Sequence, residues 1–178
     1  MAYQIRKMSE ADWPEVSRIY QEGMGTNLAT FQSECPSWEE WDSSHLKDCR
    51  LVITENGSVL GWTALTAVSG RCVYTGVAEV SIYIGQEHRG HGAGKALLGE
   101  LIRMSEECGF WTLQSGIMQN NTASIRLHES CGFRVVGYRE RIGRDRFGAW
   151  RNTVLMEKRS ISDCFEGDCS CSAACSCE

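Results

Sequence analysis

The sequence predicts a mixed α/β fold with helices on both faces of one sheet, and three observations carry that prediction. Stretches of period two alternate with stretches at helical spacing in the order βααβββαβαββ. Asn56-Gly57 stands between two apolar runs, and Gly90-His91-Gly92-Ala93-Gly94 separates a strand pattern from a helical one. The size agrees, since 178 residues with 42% hydrophobic and 23% charged side chains are one domain's worth of ordinary globular chain. That composition excludes a coiled coil, a collagen-like chain and global disorder. No stretch approaches the roughly 20 apolar residues of a membrane span. The opening MAYQIRKMSEADWP lacks the apolar run of a secretory signal, so a cytoplasmic protein with reduced thiols is expected.

Taken in order, Tyr3 to Arg6 alternate as a first strand. Ser9-x-x-Asp12 and Asp12-x-x-Glu15 both have the form of a capping box, and Trp13, Val16, Ile19, Tyr20 and Met24 recur at helical spacing. The expected helix ends near Gly23, and Pro14, comfortable only in a first turn, favours Asp12 as its cap. Ser37-Trp38-Glu39-Glu40 is a further capping box and opens a short helix through about His45. From Arg50 the period becomes two, with Asn56-Gly57 as a two-residue hairpin turn. The polar loop Ser69-Gly70-Arg71 precedes a strand from Ala78 to Ile84. Leu97, Leu98, Leu101, Met104 and Cys108 then form one helical stripe stopped by Gly109. Trp111 to Met118 reads as a strand and Thr122 to Cys131 as a helix capped by Gly132. Phe133 to Arg139 and Trp150 to Met156 close the pattern as strands.

Charge and cysteine divide the chain at about residue 160. Asp163, Glu166, Asp168 and Glu178 follow Arg159 with no basic residue among them, leaving 18 basic against 19 acidic residues for the body. A near-neutral body argues against a nucleic-acid module, which needs a basic face. Five of the ten cysteines crowd into the same segment, as Cys164, Cys169, Cys171, Cys175 and Cys177. The expected organisation is a domain over 1–160 and a flexible, Cys-rich acidic tail over 161–178. The tail spacing contains no CxxC pair, so it fits neither a zinc ribbon nor a thioredoxin motif. Close thiol pairs on an adaptable chain do suit soft ions, with trivalent arsenic (arsenite) or copper(I) as guests, and a plain acidic extension is the alternative.

The glycine segment is the strongest functional signal. A strand running into Arg89-Gly90-His91-Gly92-Ala93-Gly94-Lys95 and then a helix sets unencumbered N–H groups beside a positive helix end, which suits a phosphate or pyrophosphate. A P-loop is excluded because Arg89 and Ala96 occupy the places of its first Gly and its Ser or Thr. The G-x-G-x-x-G fingerprint fails as well, since Lys95 and Leu97 fall where its third Gly is required. What remains is R-x-x-G-x-G, with His88 and His91 read as solvated neighbours.

That pattern resembles the acetyl-coenzyme A loop of the GNAT N-acetyltransferases, and the segment from Asn121 to Phe133 is similar to the second signature of that superfamily. Arg71, Tyr74 and Glu79 ahead of Ser81-Ile82-Tyr83-Ile84, His128, and Gly148-Ala149-Trp150 further resemble the phosphinothricin N-acetyltransferase group, which includes relatives that acetylate arsinothricin. The likeness runs from about Tyr3 to Ser160. It implies a GNAT fold, with a central mixed, mostly antiparallel twisted sheet flanked by helices, and acetyl-CoA as co-substrate. It also implies a homodimer acting on a small amino-acid-like substrate, with no nucleic acid or membrane partner.

The chemistry of such a reaction can be set on named residues. An ammonium has no lone pair, so a base must stand near the acceptor amine. Glu79 is the only carboxylate between Ser69 and Ile84, and the resemblance assigns it that role, directly or through a water. His128 is the other catalytic candidate, either receiving the amine proton or protonating the departing thiolate. An HExxH metal site is excluded because Gly132 stands where its second His is needed. Cys72 and Cys131 are read as packing residues, so direct transfer without an acetyl-enzyme is expected. The cofactor-binding set implied is Ile82, Tyr83, Ile84, Arg89, Gly90, His91, Gly92, Ala93, Gly94, Lys95, Asn121 and Ser124. Backbone groups of the strand would serve the pantetheine arm and thioester, and Asn121 a side-chain amide. For the acceptor, Arg71 offers a fork matched to a carboxylate, phosphinate or arsinate, Tyr74 a hydroxyl and Phe31 an aromatic wall. Thr75 and Asn152 stand where several relatives have a second Arg and an acid. Ordinary amino acids, methionine sulfone or protein N-termini are the alternative acceptors, and soft-metal binding by the tail is the alternative of another class.

Overall fold

A computed structural model of the protein describes residues 3–161, so the five tail cysteines lie outside the described residues. The expected order of elements is the observed one. Strands β1 (Gln4–Lys7), β2 (Leu51–Glu55), β3 (Ser58–Ala67), β4 (Val77–Ile84), β5 (Thr112–Met118), β6 (Arg134–Arg144) and β7 (Trp150–Arg159) form one sheet in the order β1-β2-β3-β4-β5-β7-β6. Helices α1 (Trp13–Gly25) and α2 (Trp38–Ser44) lie on one face, and α3 (Ala93–Glu107) and α4 (Thr122–Ser130) on the other. Every pairing is antiparallel except β4 with β5. No helix among the described residues is long and apolar enough to cross a membrane.

Two cores follow from the pleat of the sheet. Leu97, Leu98 and Leu101 of α3 pack with Leu65, Val80 and Leu113 on one face. On the other, Val16, Ile19 and Tyr20 of α1 and Trp41 of α2 pack with Val52 and Trp62. Alternation along β4 therefore sends Ile82 and Ile84 toward α3 and Tyr83 toward α1. The Tyr83 ring stacks on Trp62 at 4.8 Å and meets Tyr20 edge-on at 4.9 Å.

Local chemistry explains the element ends. Ser37 accepts from the Glu40 amide at 3.2 Å while Glu40 accepts from the Ser37 amide at 2.8 Å, which completes the expected box. Asn56 and Gly57 have φ of 51° and 84°, the left-handed pair that a tight hairpin turn requires. Helix α1 runs two residues past its expected stop because Gly23 is a packing glycine, not a terminator. A Cβ there would stand 2.6 Å from the Tyr83 ring. Strand β6 continues five residues beyond Arg139, where its pattern loses period two because it is the exposed edge of the sheet. A bulge between Arg139 and Gly143 interrupts it, with Arg141 at φ 48° donating its amide to Asn152 Oδ1 at 2.9 Å.

Of the two overlapping boxes at the start of α1, only the first contributes a carboxylate. The Asp12 side chain accepts from the Ser9 amide at 2.8 Å and from both terminal nitrogens of Arg6 at 2.8 and 2.6 Å, while a 3₁₀ turn over Glu10–Asp12 leads into the helix. Hydrogen bonding by Arg6 holds the Asp12 carboxyl down at about 2. Its folded value lies below the unfolded one, so this stabilisation is complete above about pH 4 and is lost as pH falls toward 2. With Arg6 half exposed, Asp12→Asn is expected to cost about 1–2 kcal/mol at pH 7 and little below about pH 2. Urea titrations of both proteins across that range check it.

Candidate active site

The β4–β5 pair determines the site. Its parallel register holds for three rungs, Val77↔Thr112, Ala78↔Leu113 and Glu79↔Gln114, and then the strands part. Each keeps its outer neighbour, since β3 pairs β4 as far as Gly61↔Ile84 and β5 pairs β7 as far as Met118↔Thr153. The inner edges beyond Glu79 and Gln114 are therefore free, and a cleft of about 570 Å³ occupies the gap. Its walls include Glu79 to Tyr83, Ser115 to Met118, the loop Leu28 to Gln32, and Asn121, Ser124 and His128 of the α4 segment.

Glu79 is half-buried at the last rung, with Thr66 opposite it on β3. Gln114 Nε2 donates to its Oε2 at 2.9 Å, which fixes the plane of the carboxylate. Its Oε1 faces Gly116, where a Cβ would lie 3.8 Å away, so the space in front of that oxygen is open. Among the described residues Glu79 enters no ion pair, and it keeps lone pairs for an incoming N–H.

His128 comes to the cleft from the α3 side of the sheet, fully buried and edge-on to Phe133 at 4.9 Å. Its Nδ1 lies 2.8 Å from the Ser124 carbonyl, an acceptor, so Nδ1 carries the proton. The lone pair then sits on Nε2, which is buried and unpartnered. Burial pushes the imidazole pKa down and the Ser124 carbonyl offsets this in part, so the ring is neutral at pH 7.

The glycine turn continues from the end of β4. Gly90 and Gly92 have φ of 80° and 87°, which a residue with a Cβ rarely adopts, and neither has an atom within 4 Å of where a Cβ would stand. Gly94 answers a different demand, since a Cβ there would meet Leu127 of α4 at 3.3 Å. Arg89 Nε donates back to the Ile84 carbonyl at 2.9 Å, and Tyr3 donates to the His91 carbonyl at 2.9 Å. Ala93 is buried and Lys95 exposed. The first amides of α3, which no helix can satisfy internally, thus open on a solvent-facing cradle suited to phosphate.

The remaining candidates separate. Phe31 lines the cleft and packs against Gly143 of β6, whose Cβ would stand 3.0 Å from the ring. Asn121 lines the cleft, where its Oδ1 caps α4 through the Ser124 amide at 3.2 Å and its Nδ2 ties down the Leu28 carbonyl at 3.1 Å. Arg71 and Tyr74 lie together, 5.9 Å apart, on the exposed turn ahead of β4 and not on the cleft wall. Cys131 is half-buried as expected, whereas Cys72, expected to pack, is exposed because no residue of the Cys72–Tyr74 turn is buried. Among the described residues no cluster of three or more metal-ligating side chains occurs.

Gln114, Gly116 and His45 were not singled out by sequence. Gln114 needed the parallel register, and His45, stacked on Trp41 at 4.2 Å, needed the packing of α2. Gly116, a lone glycine inside a strand, did carry a signal of close approach.

The site thus combines parted strands, an open glycine turn beyond the end of β4 and a carboxylate at the fork. Residues 5–133 match the model of the Acetyltransferase (GNAT) family, and the chain belongs to that family and is an acyltransferase. The phosphinothricin N-acetyltransferase of Alcaligenes faecalis is 31% identical over 160 residues, covering 86% of this chain and 81% of that protein. The L-methionine sulfoximine/L-methionine sulfone acetyltransferase of Pseudomonas aeruginosa is 26% identical, covering 88% of this chain and 94% of that protein. The crystal structure of a GNAT superfamily phosphinothricin acetyltransferase from Sinorhizobium meliloti in complex with AcCoA superposes with a TM-score of 0.81 at 30% identity, covering 89% of each chain.

Asn121 is expected to act on stability and on the cleft wall separately. Asn121→Ala should lose about 1 kcal/mol through the missing cap. Asn121→Asp keeps the cap but not the donor to Leu28, so it should restore stability while leaving residues 26–32 open to cleavage. Chemical denaturation and limited proteolysis distinguish the two.

Proposed function

We propose that the protein transfers the acetyl group of acetyl-CoA directly to the α-amino group of a small amino-acid-like toxin, phosphinothricin or arsinothricin, and so confers resistance to it. The observation that carries this reading is Glu79, half-buried at the fork, held by Gln114 and open toward Gly116. Glu79 takes the amine proton, and the thioester lies along the free edge of β4, where backbone donors beyond Ser81 are available to a developing oxyanion. The Arg89–Lys95 turn holds the phosphates. His128, neutral and with its lone pair on Nε2, accepts a proton and does not donate one at the outset.

For the acceptor, Phe31 supplies a wall and Arg71 with Tyr74 a clamp that reaches the side-chain acid from the turn ahead of β4. A specific observation favours a second reading. Among the described residues no Arg or Lys lines the cleft, which suits an uncharged polar side chain such as that of methionine sulfone. The proposal includes a homodimer, in keeping with exposed Val136, Tyr138 and Ile142 on the edge strand β6. It also includes a catalytic domain over 1–160 in the cytoplasm.

Thiol release from acetyl-CoA with phosphinothricin, arsinothricin and methionine sulfone separates these readings. Glu79→Gln keeps the bulk but cannot accept the proton, so kcat should fall by about 10²–10⁴ with KM little changed. Arg71→Ala should raise KM for the two acids about tenfold or more and leave the sulfone unaffected. No turnover with any of the three acceptors would refute the substrate class.

A further inference from the structure

Away from the cleft, the loop entering β2 and the end of α3 enclose a recess of about 200 Å³ lined by Lys7, Cys49, Met104, Glu107 and Cys108, among others. Two thiols from distant parts of the sequence meet there. Cys49 is buried and Cys108 exposed, and both line this one recess. Both stand on fixed backbone. Cys49 has φ of 60°, in the left-handed region that residues with a Cβ seldom enter. The adjoining Arg50 holds that turn by donating to the carbonyls of Leu46, His45 and Asp42 at 2.6, 2.7 and 2.8 Å. Cys108 caps α3, its amide donating to the Met104 carbonyl at 3.0 Å, and Gly109 turns the chain away at φ 85°. Opposed thiols on two rigid supports, one open to solvent and one behind it, are the arrangement of an attacking and a resolving cysteine.

We propose that Cys49 and Cys108 are a redox modification site that closes to a disulfide when the protein meets a low-molecular-weight disulfide such as oxidised glutathione. The exposed Cys108 sulfur, as thiolate, attacks one sulfur of the small disulfide, whose S–S bond breaks and releases one thiol. Cys49 then attacks the Cys108 sulfur of the mixed disulfide, expels the second thiol and forms the Cys49–Cys108 bond. The small disulfide gains two electrons, the two cysteines lose two, and their protons leave on the two released thiols. Burial and the neighbouring Cys108 both push the Cys49 thiol pKa up. Capping Cys108 as a mixed disulfide removes the second of these influences at the step where Cys49 must ionise. The bond would pin the end of α3 to the turn whose Arg50 holds the His45 end of α2, and His45 lines the cleft.

The test uses the full-length protein, incubated with oxidised glutathione, alkylated under denaturing conditions, digested with trypsin and read by mass spectrometry. The expected product is peptide 48–50 joined to peptide 104–126, two hydrogens lighter than the reduced pair. It should be missing from Cys108→Ser, whose thermal midpoint should match wild type because the position is exposed. Recovery of Cys49 as an alkylated free thiol, with Cys108 unmodified, glutathionylated or joined to another cysteine, would overturn the proposal.

Discussion

The site depends on one departure from regular pairing, the parting of β4 and β5 after three rungs. Sheets close gaps when they can, because free backbone donors and acceptors away from water are costly. Here each strand stays paired with its outer neighbour beyond the last shared rung, β4 to β3 and β5 to β7, so closing the gap would require moving both outer pairs. On the α1 side, Tyr83 is drawn between Trp62 and the helix, where only glycine at position 23 leaves room for its ring. The gap is therefore a property of the whole sheet. Because the pair is parallel, a crossover must join its strands, and that crossover is α3. Its first turn follows β4 through the glycine turn, which is why that turn and the free strand edge are neighbours in the fold.

The Phe31 wall of the cleft is built by a different principle, the pairing of missing side chains with large ones. Phe31 rests where Gly143 has no Cβ, and Trp111 rests on Gly76 in the same way. The loop carrying Phe31 has no regular structure of its own. It is held by Asn121 at Leu28 and by Asn27, which donates to Asp145 at 2.9 Å. Asp145 accepts in turn from the Phe147 and Ala149 amides, each at 3.0 Å, and these hydrogen bonds, with Asn27 the largest influence, hold its carboxyl below the usual range. The wall of the cleft thus depends on residues from α4 and from the β6–β7 connection, both distant in sequence.

That distance marks what the sequence could tell. Ser37 with Glu40, and Asn56 with Gly57, act on neighbours in the chain, and both were legible because their partners stand within three residues. Gly90 and Gly92 were legible for the same reason, since the need for left-handed backbone is local. Gln114 was not, because its contact with Glu79 exists only in a particular parallel register. The cap that Asn121 provides to the Ser124 amide is local, whereas its hold on the Leu28 carbonyl, 93 residues away, needed the fold. Strand β6 was cut short because an edge exposed on both faces has no reason to alternate.

The pleat adds a final step. Glu79 and Gln114 point to the α1 face of the sheet, and His128 approaches from the α3 face, yet both line one cleft. The connection runs through the gap itself, between strand edges that ordinary pairing would have sealed. Glu79 and His128 therefore divide the cleft between them, one reaching it from each face of the sheet. Neutral His128 fits that division. With Nδ1–H committed to Ser124, it carries no charge to attract the Glu79 carboxylate across the gap, and the carboxylate keeps Gln114 as its partner.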